Sequence, residues 1–353
     1  MRQVAIALLL LSVTTPSAAQ PDTISQSVEV GVDPRIELMG VVQLLTEYPL
    51  VTDFDSPYKK DVQAYFSGFK GHPAPQLFEE MDGEGFAFDA VPKAMLSLTK
   101  PPALAPRVPY SERVVSAAGG ADSLRQFVDA LRDFARHTDF QAFYRSHRGT
   151  YRALADSARG VAGDAMGALR DYMGAPLKNA TVVLGPLLHN GGFAARYETE
   201  EGEEAYAFIG PTSIEDGIPT FGSPERLASL TWHEFSHTVV NPLTREYQED
   251  VNGYASLYAS IREPMRKAGY ASWETVVNEH IIRAIEVRLA HRRFGEEAGR
   301  RELEEQKKRG FRYIEPLIQE LKTYEENRDA YPTLSDFYPR MIGGFEDAAS
   351  HSR

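Results

Sequence analysis

Apolar residues along this chain recur at helical spacing through most of its length and alternate with polar ones in a few short stretches. SVEVGV, within the polar stretch 20–33, alternates and predicts a short first strand. From Pro34 the period turns helical, and IELMGVVQLLTEY carries apolar side chains on a broad face. Helical patterns return at 57–69 and 74–98, with Gly and Pro breaks between them. The proline-rich stretch KPPALAPRVPYSER, residues 100–113, predicts a surface crossover or a linker between two helical parts. Helices are predicted at 121–137, 139–159 and 160–173. The character then changes. Residues 180–188, 192–198 and 204–210 are short, β-branched or aromatic runs separated by Gly, Asn and Glu clusters, which predicts an antiparallel sheet. After Ser223-Pro224 helices resume and run nearly to the end. The pattern is α+β and mostly helical, with a small antiparallel sheet directly before one distinctive helix.

The first twenty residues stand outside this pattern. MRQVAIALLLLSVTTPSAAQ has one positive charge, an apolar run from Val4 to Val13 and small residues at its end. It predicts a secretory signal peptide cut after Ala19, with an apolar core too short for an ordinary membrane span. A mature chain of this length suits one large domain or two closely packed ones. The divisions expected are a mainly helical lobe over 20–110 and a second region over 111–353, packed separately or as one.

Composition narrows the chemistry. The net charge of −12 argues against nucleic acid and against an anionic membrane surface as partners, since both need a basic face. No other stretch is long and apolar enough to cross a membrane. The chain has no cysteine, so disulfides contribute nothing, and any metal must be held by nitrogen and oxygen ligands.

That restriction matters because of residues 231–238, TWHEFSHT. On a helix, His233 and His237 lie on one face one turn apart and can close on one metal ion. Glu234 is about 100° round the helix from His233, within reach of a water at that metal. Ser223 is a good N-cap and Pro224 a good first helical residue, and the helix is predicted to run until Asn241-Pro242 stops it. A catalytic zinc needs a third protein ligand. Val240 and Leu243 occupy the places where an extended motif would put glycine and a third histidine, so the ligand comes from further away. SWETVVNEHIIRAIEVRLAHRRFG, residues 272–295, reads as a long helix capped by Ser272 and ended by Gly295. Glu279 and Glu286 both sit beside its apolar stripe, and a carboxylate facing inward there needs a partner.

HEFSH followed by NEH on a later helix resembles the glutamate-type zincins, the thermolysin-like superfamily. DPRIEL (33–38), HEFSHTVVNPL (233–243) and NEHIIRA (278–284) resemble, more narrowly, an uncharacterised family of bacterial secreted proteins placed in the same group by its motif. The narrower resemblance covers most of the mature chain, the broader one about 180–295. The resemblance implies a zincin-like catalytic core, a Zn2+ cofactor held by His233, His237 and Glu279, and Glu234 as general base. In that superfamily an aspartate four residues after the ligand glutamate orients one histidine. Here the position is Arg283, which leaves Glu286 as the candidate for that role.

A hydrolase of this kind also needs a donor for the oxyanion. His189, at the turn before the presumed edge strand, and Tyr313 are the candidates put first, ahead of His280, Tyr331 and Tyr338. The expected function is a secreted zinc-dependent hydrolase, a metallopeptidase acting on a peptide or protein substrate through a zinc-activated water. The rival is a zincin-like binding protein that has lost turnover, favoured by the missing aspartate and opposed by the intact Glu234. A third reading is a metal-free helix pair with Glu234 or Glu279 tied up by Arg283 or Arg245.

Overall fold

Four helices begin the same way, with a capping residue followed by proline. Asp33, Ser56, His72 and Ser223 each accept a backbone N–H of the first turn, and Pro34, Pro57, Pro73 and Pro224 supply the first helical φ. Each such cap contributes on the order of 1 kcal/mol and fixes where the helix enters. A computed structural model describes residues 28–350 apart from 47, 176–178 and 201. The predicted leader and its cleavage point lie outside the described residues.

Strand β1 (Glu29–Gly31) leads into α1 (Pro34–Leu44), α2 (Pro57–Phe66), α3 (Pro73–Glu84), α4 (Ala90–Leu96), α5 (Glu112–Ala117), α6 (Ala121–His137), α7 (Phe140–Ser146) and α8 (Arg148–Met173). The break predicted near 159 falls at His147, so α8 is one long helix. Next come β2 (Ala180–Leu184), β3 (Gly192–Thr199), β4 (Gly202–Ile209) and a small hairpin of β5 (Ser213–Glu215) and β6 (Ile218–Thr220). The rest is helical: α9 (Pro224–Glu246), α10 (Gln248–Gly253), α11 (Tyr258–Lys267), α12 (Trp273–Phe294), α13 (Glu296–Lys308), α14 (Ile314–Glu326) and α15 (Leu334–Ser350). The fold is α+β and mostly helical, as the pattern predicts. Among the described residues, no helix is long and apolar enough to cross a membrane.

The sheet is mixed, where an antiparallel one is predicted. Its order is β1-β2-β4-β3, with β1, β2 and β4 parallel and only β3 antiparallel to its neighbour. Alternation reveals strands but not neighbours. The tight β3–β4 turn makes those two antiparallel, and β4 then takes the place beside β2, leaving β3 at the edge.

The sheet separates two apolar clusters. Val183, Ala195, Tyr206 and Phe208 face the cluster built by α1 to α7, which includes Leu98, Leu104 and Val114 on and around the proline-rich stretch. Val182, Leu184, Ala205, Ala207 and Ile209 face α8, α9, α12 and the C-terminal helices. This period of two within each strand turns one sheet into the wall of both cores.

Helix α9 does not stop at Asn241-Pro242 but runs on to Glu246. Proline there removes the hydrogen bond to the carbonyl of Thr238. Arg196 on β3 replaces it, donating from Nη1 to that carbonyl at 2.7 Å. One side chain thus repairs the helix and ties it to the edge strand.

Candidate metal centre

Helix α9 brings His233 and His237 to one face, and α12 packs across it. The two Nε2 atoms are 3.3 Å apart. Glu279 Oε1 lies 3.5 Å from His237 Nε2, and Oε2 lies 3.8 Å from His233 Nε2. One ligand atom from each residue lies within 4.8 Å of the others. Bonds of about 2.0–2.1 Å in a tetrahedron put ligand atoms about 3.3–3.4 Å apart, so the histidine pair already has the separation zinc requires.

The outer nitrogens agree with this. His233 Nδ1 has Glu286 Oε1 at 2.7 Å, a short contact without good hydrogen-bond alignment. His237 Nδ1 has Asn241 Oδ1 at 3.2 Å. Oxygen acceptors on both Nδ1 atoms favour the tautomer that turns the Nε2 lone pairs inward. Two lone pairs 3.3 Å apart repel unless a cation or proton lies between them. Glu286 therefore stands where an orienting carboxylate is needed, seven residues and two turns beyond Glu279.

A second histidine cluster shows the contrast. His72, Asp133 and His137 also lie close enough to hold an ion. But His72 Nδ1 accepts from the Ala74 N–H at 3.2 Å, so its Nε2 carries the hydrogen and is turned to Asp133 at 3.1 Å. His72 has no lone pair left for a metal in that arrangement, which is a helix cap with a surface hydrogen bond to Asp133.

Glu234 is buried beside the candidate ligands, and among the described residues no hydrogen bond or ion pair engages its carboxylate. It fits because β3 begins with glycine: a Cβ at Gly192 would stand 2.6 Å from Glu234 Oε1. Burial, then the charges of Glu279 and Glu286, push the Glu234 carboxyl up to about 8 with no cation present. Burial pushes Glu286 up to about 7 against the opposing charge of Arg283. For Glu279, burial works against ionisation, but His233, Arg283, His237 and the Tyr270 hydroxyl together hold it below the usual carboxylate range. Burial drives His233 well below the ordinary histidine value, against the opposing charge of Glu279.

Arg283 occupies the centre of this carboxylate group. Nη2 lies 3.0 Å from Glu279 Oε2 and 3.1 Å from Tyr270 Oη, and Nη1 lies 3.2 Å from Gln306 Oε1. The Glu279–Arg283 pair is the contact that a metal-free helix pair would make. Arg245 is elsewhere, on Glu274 at the surface. Asn278, just before Glu279, bonds Thr244 of α9, whose hydroxyl also meets Tyr338 of α15. That buried knot holds the two helices that carry His233, His237 and Glu279 in register.

The site opens on a cleft of about 690 Å³ that includes Gly192, Arg226, Glu234, Tyr270 and Arg309. Tyr313 does not line it. Its hydroxyl donates to the Leu257 carbonyl at 2.9 Å, and its ring stacks on His280. His280 is fully buried, with Nδ1 against the Val276 carbonyl at 2.7 Å. His189 lies in the turn before β3, against Phe193, and its buried Nε2 has no hydrogen-bond partner. Tyr338 is buried in the Thr244 knot. Tyr270 is a cleft residue that the sequence does not single out. It lies in the loop before α12, where no periodicity points, and only the return of α12 brings Arg283 to its hydroxyl.

The fold and site together define a two-helix histidine–carboxylate centre beneath the edge strand of a mixed sheet. The chain belongs to the family described as a domain of unknown function, DUF4932, which matches residues 28–343. No curated protein and no solved structure matches it.

Proposed function

We propose that this protein is a zinc-dependent hydrolase of the glutamate-type zincin class, a metallopeptidase exported behind a cleaved leader. The observation that carries the reading is the pair of Nε2 atoms 3.3 Å apart, facing Glu279, with an unengaged Glu234 buried beside them. His233, His237 and Glu279 would hold the ion. When bound, zinc supplies Lewis-acid polarisation of the substrate carbonyl and lowers the pKa of water.

The chain's own groups do the rest. Strand β3 is the edge strand and packs against α9, so an extended peptide can add to it by main-chain hydrogen bonds. Glu234 accepts the proton of the attacking water and holds it on its carboxylate. It then delivers that proton to the leaving nitrogen. Glu234 stands beside the residues that would hold a dication, whose charge would lower its pKa and favour the ionised base. Glu286 and Asn241 keep both imidazoles turned inward throughout. A binding protein without turnover would share the ligands, but it has no use for a carboxylate at Glu234 that faces the cleft without an ion-pair partner.

The test is elemental analysis of purified residues 20–353, followed by peptide hydrolysis with and without Glu234→Gln. About one zinc per chain, lost in His237→Ala and Glu279→Gln, is expected. Glu234→Gln should retain zinc and lose at least 100-fold in rate, within the range attributed to general-base catalysis. A wild-type chain that takes up no zinc refutes the reading. Zinc uptake without hydrolysis of any peptide in a broad library leaves the binding protein.

A further inference from the structure

We propose that Arg283 is a positioning residue for the third ligand, fixing Glu279 so that one carboxylate oxygen, Oε1, is offered to the ion. The inference rests on the zinc reading above. Arg283 follows Glu279 by one turn of α12, and its guanidinium holds Oε2 at 3.0 Å. Oε1 is left facing His237 Nε2 at 3.5 Å. The guanidinium cannot easily swing away. Tyr270 Oη and Gln306 Oε1 tether its two terminal nitrogens at 3.1 and 3.2 Å, and it lies 4.5 Å over the Phe311 ring. The side chain is almost wholly buried. With one lone pair of Oε2 taken by this charge-assisted bond, chelation through both oxygens is disfavoured relative to ligation through Oε1 alone.

Charge is the second consequence. Glu234, Glu279 and Glu286 converge on the site, and Arg283 is the cation within ion-pair distance of two of them, with Nη1 at 3.8 Å from Glu286 Oε2. A positive charge there weakens the hold of the carboxylates on a dication. It also limits the electron density Glu279 donates, so the ion keeps more of its charge for substrate. Arg283 thus lowers affinity and preserves Lewis acidity, and it stands where the resembling superfamily has an aspartate.

The experiment is cobalt(II) loading of the purified mature chain, wild type beside Arg283→Met and Arg283→Lys, read by visible absorption and by zinc competition against a chromophoric chelator. Wild type should show the strong visible bands of four-coordinate cobalt. Arg283→Met should shift to the weaker bands of a five-coordinate ion and bind zinc at least tenfold more tightly. Arg283→Lys, which keeps the charge, should stay near wild type in affinity. If the methionine variant does not fold, Arg283→Leu carries the same expectation, because it likewise removes both the charge and the hydrogen bond to Oε2. A neutral variant whose spectrum and affinity match wild type overturns the assignment and leaves the zinc reading intact. Failure of the wild type to bind either metal overturns both.

Discussion

Glu37, in the DPRIEL stretch, is fully enclosed by α1, α2 and α8 and accepts a hydrogen bond from Tyr58 Oη, which in turn meets Tyr151 Oη at 2.8 Å. Burial pushes its carboxyl up to about 7 from an ordinary 4.5, with the Tyr58 hydrogen bond opposing only part of the shift. A raised acid pKa means that the native state binds more protons than the unfolded chain between those two values. Stability therefore falls as pH rises through the window and levels off above it. A shift of about 2.5 units corresponds to about 3 kcal/mol lost between pH 4.5 and 8. Glu37→Gln keeps the acceptor for Tyr58 and cannot ionise. Its own offset, from burying an amide, is the same at every pH. Urea unfolding of both proteins across pH 4.5 to 8 should therefore give curves that diverge by about 3 kcal/mol, the variant gaining relative to wild type as pH rises. Titrations elsewhere, the histidines included, are common to both and cancel. Parallel curves would show that Glu37 does not titrate in this window and would refute the reasoning.

The remaining predictions concern the site and its supports. Removing Glu286 with Glu286→Ala should weaken zinc about 10–100-fold in chelator competition, while Glu286→Gln, which keeps an acceptor for His233, should cost less; equal affinities would remove Glu286 from the orienting role. Arg196→Met leaves the Thr238 carbonyl without its donor at the proline break, so urea unfolding should report a loss of about 1–2 kcal/mol. No loss would mean that water replaces the guanidinium. Tyr313→Phe should lower stability by about 1 kcal/mol through the Leu257 hydrogen bond and leave the proposed peptide hydrolysis unchanged; a large drop in rate would return Tyr313 to the oxyanion role.

Much of this molecule is written in local chemistry. Ser223-Pro224 starts the helix that carries His233 and His237, Ser272 and Gly295 bound the one that carries Glu279, and the i, i+4 spacing puts the two imidazoles on one face. Those are properties of neighbouring residues, so a sequence determines them alone. The choice between Glu279 and Glu286 is of another kind. Both stand on the same face of α12, two turns apart, and only its crossing with α9 brings Glu279 to the inner nitrogens and Glu286 to an outer one. The helix end shows the same division. Pro242 reads as a stop because its own nitrogen has no hydrogen, and α9 continues because Arg196, forty-six residues earlier, reaches the orphaned carbonyl. Strand neighbours, the placement of Arg283 among three carboxylates and the meeting of Tyr270 with α12 likewise depend on which surfaces pack together. The sequence determined the chemical groups and their spacing within each element, and the tertiary structure decided which groups meet, because contacts between elements depend on packing that no local period encodes.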